Sequence, residues 1–261
     1  MNVRIAIPEP TSSDAAYNAR SLPPYIAALQ SAGATPILVP LHERPDRVAK
    51  LLAGVQGVLL PGSGFDVDPE KYGAERIPAC NPVDPAREAV DELLLQDAFN
   101  LHKPIFAICY GIQSLNVWRN GTLVQDLAAA GKTAVNHAPG RTILKAHPIR
   151  IAPGSLLSAL ACGAGGVEVN TNLVNSSHHQ ALLVPGNNLR VTAVSPADEV
   201  IEAVELESPG SEAAHWVVGV QWHPERTYTT SELSRALFSA FVHTARAWKP
   251  RAIYESVASA Q

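Results

Sequence analysis

The sequence predicts an α/β fold: a mostly parallel central sheet with helices on both faces and an antiparallel extension. Two observations carry that expectation. In the first half, short runs of β-branched and apolar residues alternate with longer helical patterns. Such alternation marks βαβ units and strands buried on both faces. After about residue 140, strand-like runs follow one another across short turns, as antiparallel neighbours do.

Strands are expected over residues 3–7, 36–39, 57–60 and 104–109. The first helix is placed at 21–30, with Pro23 and Pro24 near its start and Gly33 just past its end, the usual placement of these residue types. A second helix at 86–101 sets Val90, Leu93, Leu94 and Ala98 on one face. A third helical pattern follows Cys109. Residues 142–151, 189–194 and 200–206 read as strands, the last two joined by a turn at 195–198. A final strand at 216–221 leads through a loop to a helix at 231–248. There is no internal repeat and no Pro/Gly/Ser-rich linker, so a single domain over residues 1–248 with a C-terminal tail at 249–261 is expected.

Of 261 residues, 46% are hydrophobic and 17% charged, with 17 Gly and 21 Pro. That composition excludes disordered and collagen-like chains. The net charge is −4 without a Lys/Arg-rich block, which argues against nucleic acid and anionic membrane as partners. Cys80, Cys109 and Cys162 are odd in number and widely spaced, so disulfides are not expected. The N-terminal residues lack a secretory h-region and no apolar run approaches a membrane span. A cytoplasmic location is the expectation.

Phosphate-binding patterns fail. Gly62-Ser63-Gly64 would need glycine where Val67 stands, and Gly131-Lys132-Thr133 would need it at Asp126. Neither a G-x-S-x-G elbow nor an H-E-x-x-H helix is present. Instead, an apolar strand ends in Cys109, with Gly111 two residues on and a helical pattern beyond. This is the layout of a nucleophile elbow, whose side chain projects from the carboxyl edge of the sheet. The helix N-terminus would favour a thiolate and leave the Tyr110 N–H for an oxyanion. A free cysteine is otherwise a small buried hydrophobe. His223 stands just past the last core strand, and Glu225 could fix its tautomer, which is triad logic; a single His-x-Glu is also compatible with a solvated loop.

Taken together, Cys109, Gly111 and Gln113 with Gln221-Trp222-His223-Pro224-Glu225 resemble the class I glutamine amidotransferases, whose triad is Cys-His-Glu. Four further stretches, 60–69 with Lys71-Tyr72-Gly73, Asn116-Val117, 121–126 and 174–180, resemble the γ-glutamyl-γ-aminobutyrate hydrolase branch, cysteine peptidase family C26. The resemblance implies a flavodoxin-like class I amidotransferase fold. It implies Cys109 as nucleophile, His223 as base and Glu225 as its holder, with Gly62, Ser63 and Tyr110 N–H groups as oxyanion hole. Gln113, Ser177, His178 and His179 become substrate-binding positions. The implied reaction is omega-peptidase cleavage of a linear γ-glutamyl amide through a γ-glutamyl thioester, with a small γ-glutamyl amide as partner. Polyamine breakdown is suggested only by the branch's name.

Departures are few. Ala107 replaces the first glycine of the family's Gly-x-Cys-x-Gly, and Asn120-Gly121 replaces a paired glycine. Tyr110 stands where the branch often has arginine and some synthetase-linked amidotransferases have tyrosine. Two alternatives remain: a glutaminase subunit delivering ammonia to a separate synthetase, and a catalytically silent binding relative. No cofactor is expected. No metal is expected either, because adjacent histidines such as His178 and His179 point apart and no third ligand with zinc spacing is evident. Asp66 and Asp68 are expected to stabilise the turn after Gly64. Homo-oligomerisation is left open.

Overall fold

In the computed structural model, which describes residues 2–162, 171–207 and 215–250, the sheet forms around β1 (Val3–Pro8), whose apolar side chains are buried on both faces. Strand β1 pairs in parallel with β2 (Ala34–Val39) and β3 (Gly57–Leu60). Strand β3 pairs with β4 (Ile105–Ile108), and β4 with β11 (Val217–Val220), again in parallel. The resulting order, β2-β1-β3-β4-β11, is that of a flavodoxin-like doubly wound sheet.

From β11 the sheet turns antiparallel through β10 (Ile201–Leu206), β9 (Leu189–Val194), β6 (His147–Ile151) and β7 (Thr171–Val174). A branch, β5 (Thr122–Val124) on β8 (Ala181–Val184), leaves from β10. The antiparallel extension is thus as large as the parallel half. Helices α1 (Ala15–Ser31), α5 (Leu156–Cys162) and α7 (Glu232–Ala247) cover one face. Helices α2 (Pro45–Leu52), α3 (Pro85–Leu101) and α4 (Tyr110–Trp118) cover the other. A short helix, α6 (Pro224–Thr227), follows β11. Every residue of β4 is fully buried between these layers, and burying each large apolar side chain contributes roughly 1.5–3 kcal/mol. Among the described residues no helix is long and apolar enough to cross a membrane.

Three expectations need correction. Helix α1 starts at Ala15, well before residue 21, because Asp14 caps it by accepting the Tyr17 N–H at 2.7 Å. Pro23 and Pro24 therefore lie inside the helix. Their missing N–H groups leave the carbonyls of Ala19 and Arg20 without helical donors, and both residues are exposed to water. The strand expected over 142–151 begins only at His147, where pairing with Val174 starts. Residues 125–146 carry no helix or strand. Cys109 is excluded from its strand by its backbone, as described below. Of the expected tail, 251–261 lie outside the described residues.

The arrangement delivers three loops to one spot. Strand β4 lies between β3 and β11, all three run the same way, and their carboxyl ends share one edge. That edge is where doubly wound sheets place their sites.

Candidate active site

Cys109 follows β4 directly and holds φ 54° and ψ −107°. A non-glycine residue in that region costs of order 1–3 kcal/mol and persists only where its surroundings enforce it. They do so here: the Cys109 N–H donates to Val220 O at 2.9 Å on one side, and α4 starts at Tyr110 on the other. Gly111 permits this start, since a Cβ there would collide with the Leu60 carbonyl. The Tyr110 N–H points at the thiol.

His223 leaves the end of β11 with its backbone clamped by Asn175. The Asn175 Nδ2 donates to His223 O at 2.7 Å, and Asn175 Oδ1 accepts the His223 N–H at 2.8 Å. The ring Nδ1 donates to Glu225 Oε1 at 2.8 Å, which directs the lone pair to Nε2. Gly62, after β3, separates the histidine from the cysteine. A Cβ there would stand 3.1 Å from His223 Cε1, 3.1 Å from the Tyr25 hydroxyl and 3.6 Å from Cys109 Cβ. Cysteine and histidine thus meet across one glycine, with the glutamate bonded to the far side of the imidazole.

Burial sets the protonation states. Burial pushes the Cys109 thiol up to about 12, with Glu225 and Glu202 adding to it and Arg226 and the Tyr110 N–H opposing. This corrects the expectation of a favoured thiolate. A helix terminus is worth ~0.3–1 kcal/mol, less than the ~1.4 kcal/mol of a single pKa step. Burial also holds the His223 imidazole below the ordinary histidine range, although Glu225 opposes it. For Glu225 burial acts upward, yet His223 and Arg226 hold the carboxyl below its ordinary range. The resting pair is a neutral thiol and a neutral imidazole beside a carboxylate.

Cys109, His223, Ser63, Tyr110, Gln113, Ser177, His178 and His179 line one cavity of about 270 Å³. Gly62 is the exception among the expected oxyanion donors, because its N–H donates to the Tyr25 hydroxyl at 3.1 Å. Gln113 is fixed by donating to Gln180 O and Gln221 Oε1 at 3.2 and 3.3 Å. His179 is held between Asp66 at 3.0 Å and Asp126 at 3.2 Å. Asp66 also accepts the Asn81 N–H at 2.7 Å, and Asp68 caps the turn Pro69–Tyr72, so both aspartates hold loop structure. Cys80 faces Gln125 Oε1 at 2.9 Å.

Several residues of the site carry no local signal in the sequence. The cavity is also lined by Tyr17, Arg20, Arg141 and Arg226, the last standing 3.5 Å from Glu225. Behind the elbow, Arg87 is fully buried, donates to Pro61 O at 2.7 Å, Pro10 O at 3.1 Å and Asp91 at 2.7 Å, and stacks 4.7 Å from the Tyr110 ring. It joins the loop after β3 to the residue beside the nucleophile. His178 also has neighbours that no sequence spacing announces. Its Nε2 faces Glu202, as do His137 and His147.

Comparison with known proteins places this geometry in context. The family model described as Peptidase C26 matches residues 6–225. Protein NtpR of Enterococcus hirae is 33% identical over 220 residues, 84% of this chain and 86% of that protein. Gamma-glutamyl-gamma-aminobutyrate hydrolase PuuD of Escherichia coli is 33% identical over 225 residues, 84% of this chain and 83% of that protein. Among solved structures, the glutaminase domain of Trypanosoma brucei CTPS with bound acivicin superposes with a TM-score of 0.60 at 16% identity, covering 95% of this chain and 96% of that one. At that identity the likeness speaks for the fold.

Proposed function

The chain belongs to the peptidase C26 family, hydrolases of amide bonds, and from that premise we propose that it cleaves the γ-glutamyl amide bond of a small molecule with a Cys109-His223-Glu225 triad. The observation that carries the proposal is the strained Cys109 at the sheet edge, on the other side of Gly62 from a histidine already bonded to Glu225.

In this reading the Cys109 sulfur attacks the γ-carbonyl while His223 Nε2 takes the thiol proton. A thiol with a pKa near 12 needs that concerted removal, since almost none of it is ionised at neutral pH. Glu225 stabilises the imidazolium that forms. The tetrahedral oxyanion is met by the N–H groups of Tyr110 and Ser63, each such donor being worth ~3 kcal/mol of barrier in other acyl-transfer sites. Gly62 supplies space between the reacting side chains. Collapse breaks the C–N bond, His223 protonates the leaving amine, and a γ-glutamyl thioester remains. Water, deprotonated by His223, then attacks the thioester and returns Cys109 to the thiol.

Gln113, Ser177, His178 and His179 form the wall that receives the glutamyl end, with Arg20 and Arg141 of the same cavity attracting its carboxylate. Both His178 nitrogens face away from the cavity space, toward Gln180 O and Glu202, so its contribution to the wall is steric. The relative named as a γ-glutamyl-γ-aminobutyrate hydrolase makes γ-glutamyl-GABA the first substrate to try. The test is amine release from a panel of γ-glutamyl amides, including γ-glutamyl-GABA and glutamine, by the wild type and Cys109→Ala. Cysteine-dependent release from γ-glutamyl-GABA or a related amide is expected. Turnover of glutamine alone, rising when a synthetase is added, would move the chain to the amidotransferase reading.

A further inference from the structure

Behind the wall that carries Ser177 and His179, four buried side chains converge: His137, His147, His178 and Glu202, whose ligand atoms all lie within 4.8 Å of one another. Glu202 Oε1 is 3.3 Å from His137 Nδ1, 3.6 Å from His147 Nε2 and 3.6 Å from His178 Nε2. The four side chains are 0–2% exposed. None of these central atoms has a hydrogen-bond partner, which is costly for buried polar groups.

The outer contacts show why. His147 Nδ1 faces Pro148 O at 3.0 Å and His178 Nδ1 faces Gln180 O at 2.9 Å. A carbonyl only accepts, so both Nδ1 atoms carry the proton and both Nε2 atoms present lone pairs inward. His137 Nε2 faces the Asp198 carboxylate at 3.0 Å, which turns Nδ1 inward toward Glu202. The Nε2 lone pairs of His147 and His178, His137 Nδ1 and a carboxylate oxygen therefore converge on one centre. A bound divalent cation would satisfy the whole set at once. Each ring has the outer oxygen acceptor that orients metal-ligating histidines.

The spacing and the nitrogen-rich donor set suit a zinc-class cation. Zinc holds nitrogen and carboxylate oxygen at ~2.0–2.2 Å in tetrahedral sites, so its ligand atoms stand ~3.3–3.5 Å apart. The 3.3–3.6 Å separations from Glu202 match that edge, and all four ligand atoms lie within 4.8 Å of one another. We propose that His137 Nδ1, His147 Nε2, His178 Nε2 and Glu202 Oε1 form a closed structural site for one zinc-class divalent cation. Four protein ligands and burial on all sides leave no open position for substrate, which distinguishes a structural from a catalytic centre.

The site has work to do in the fold. Residues 125–146 run without helix or strand, a length uncommon for an untethered segment within a domain. His137 anchors that segment, His147 opens β6, His178 lies in the loop before β8, and Glu202 is on the interior strand β10. One ion would lock all four to the sheet and thereby fix the cavity wall. The proposal does not depend on the reaction at Cys109.

The test uses the full chain, purified without a polyhistidine tag, and elemental analysis. One equivalent of zinc or another first-row divalent metal per chain is expected, retained in Cys109→Ala and lost in the near-isosteric Glu202→Gln. Removing the metal should lower the thermal midpoint by on the order of 10 °C, with recovery on adding one equivalent of Zn²⁺. Because Glu202→Gln could fold poorly, Co²⁺ substitution of the wild type gives a second readout. Tetrahedral d–d bands without a thiolate-to-cobalt charge-transfer band are expected. The proposal is overturned if the isolated protein carries no stoichiometric metal and the chelator-treated protein takes up no Zn²⁺ at micromolar concentration. It is equally overturned if the cobalt spectrum shows thiolate ligation or Cys109→Ala loses the metal.

Discussion

Asn175 grips the peptide of His223 from both sides, donating to its carbonyl at 2.7 Å and accepting its N–H at 2.8 Å. Neither contact touches the imidazole, so Asn175 is a positioning residue. Asn175→Ala removes two buried hydrogen bonds of ~1 kcal/mol each and frees the base to shift. A kcat fall of roughly 10–100-fold with little change in KM is expected, since small misplacements carry such penalties. Unaltered kcat would show that Pro224 and Glu225 suffice to hold His223.

His223 acts as a base only when neutral, and burial holds its pKa below the ordinary 6.5. A lowered pKa keeps the base form present to lower pH. The acid limb of kcat/KM, measured on a γ-glutamyl amide, should therefore have its midpoint below 6.5. A midpoint above 7 would contradict the neutral resting imidazole.

The Cys109 thiol, pushed up to about 12, should be a slow nucleophile toward reagents that do not engage His223. Iodoacetamide alkylation of Cys109, followed by peptide mass analysis, should rise roughly tenfold per pH unit through the alkaline range, as thiolate fraction does. A fast, pH-independent reaction at neutral pH would restore the thiolate picture drawn from the helix terminus.

Gly62→Ala would set a methyl 3.1 Å from His223 Cε1 and 3.6 Å from Cys109 Cβ. His223 cannot give way easily, being buried and bonded to Glu225. Activity should fall by about 100-fold while the thermal midpoint changes little. Full activity would mean that the cysteine and histidine approach along another path.

Arg87 and Asp91 form a buried pair at 2.7 Å, each about 1% exposed or less. Removing one member leaves an uncompensated buried charge, so Arg87→Met should destabilise the fold by ~3–5 kcal/mol in denaturant unfolding. A loss under 1 kcal/mol would show that the pair contributes nothing beyond what packing supplies.

What the sequence made legible was contiguous. The parallel strands, the elbow at Cys109 and the His223-Glu225 pair each lie within a few residues, where spacing alone reports geometry. The missing pieces are distant in the chain. Asn175 lies 48 residues from His223, Tyr25 lies 198 from it, and Arg87 reaches Pro61 across 26. His137, His147, His178 and Glu202 share no helix and no repeat, so no ligand spacing announces them. At Cys109 the helix that follows is visible in the sequence, whereas the depth of burial that outweighs it is not. Likewise the cap at Asp14 starts α1 upstream of Pro23 and Pro24, whose usual place is the first turn.

The central claim is that Cys109 carries the γ-glutamyl group between the two half-reactions. Rapid acid quenching of the wild type during turnover of γ-glutamyl-GABA, followed by peptide mass analysis, tests it directly. The peptide containing Cys109 is predicted to gain the mass of one γ-glutamyl group, with no adduct in Cys109→Ala. An adduct on Cys80 or Cys162, or undiminished amine release by Cys109→Ala, would contradict it.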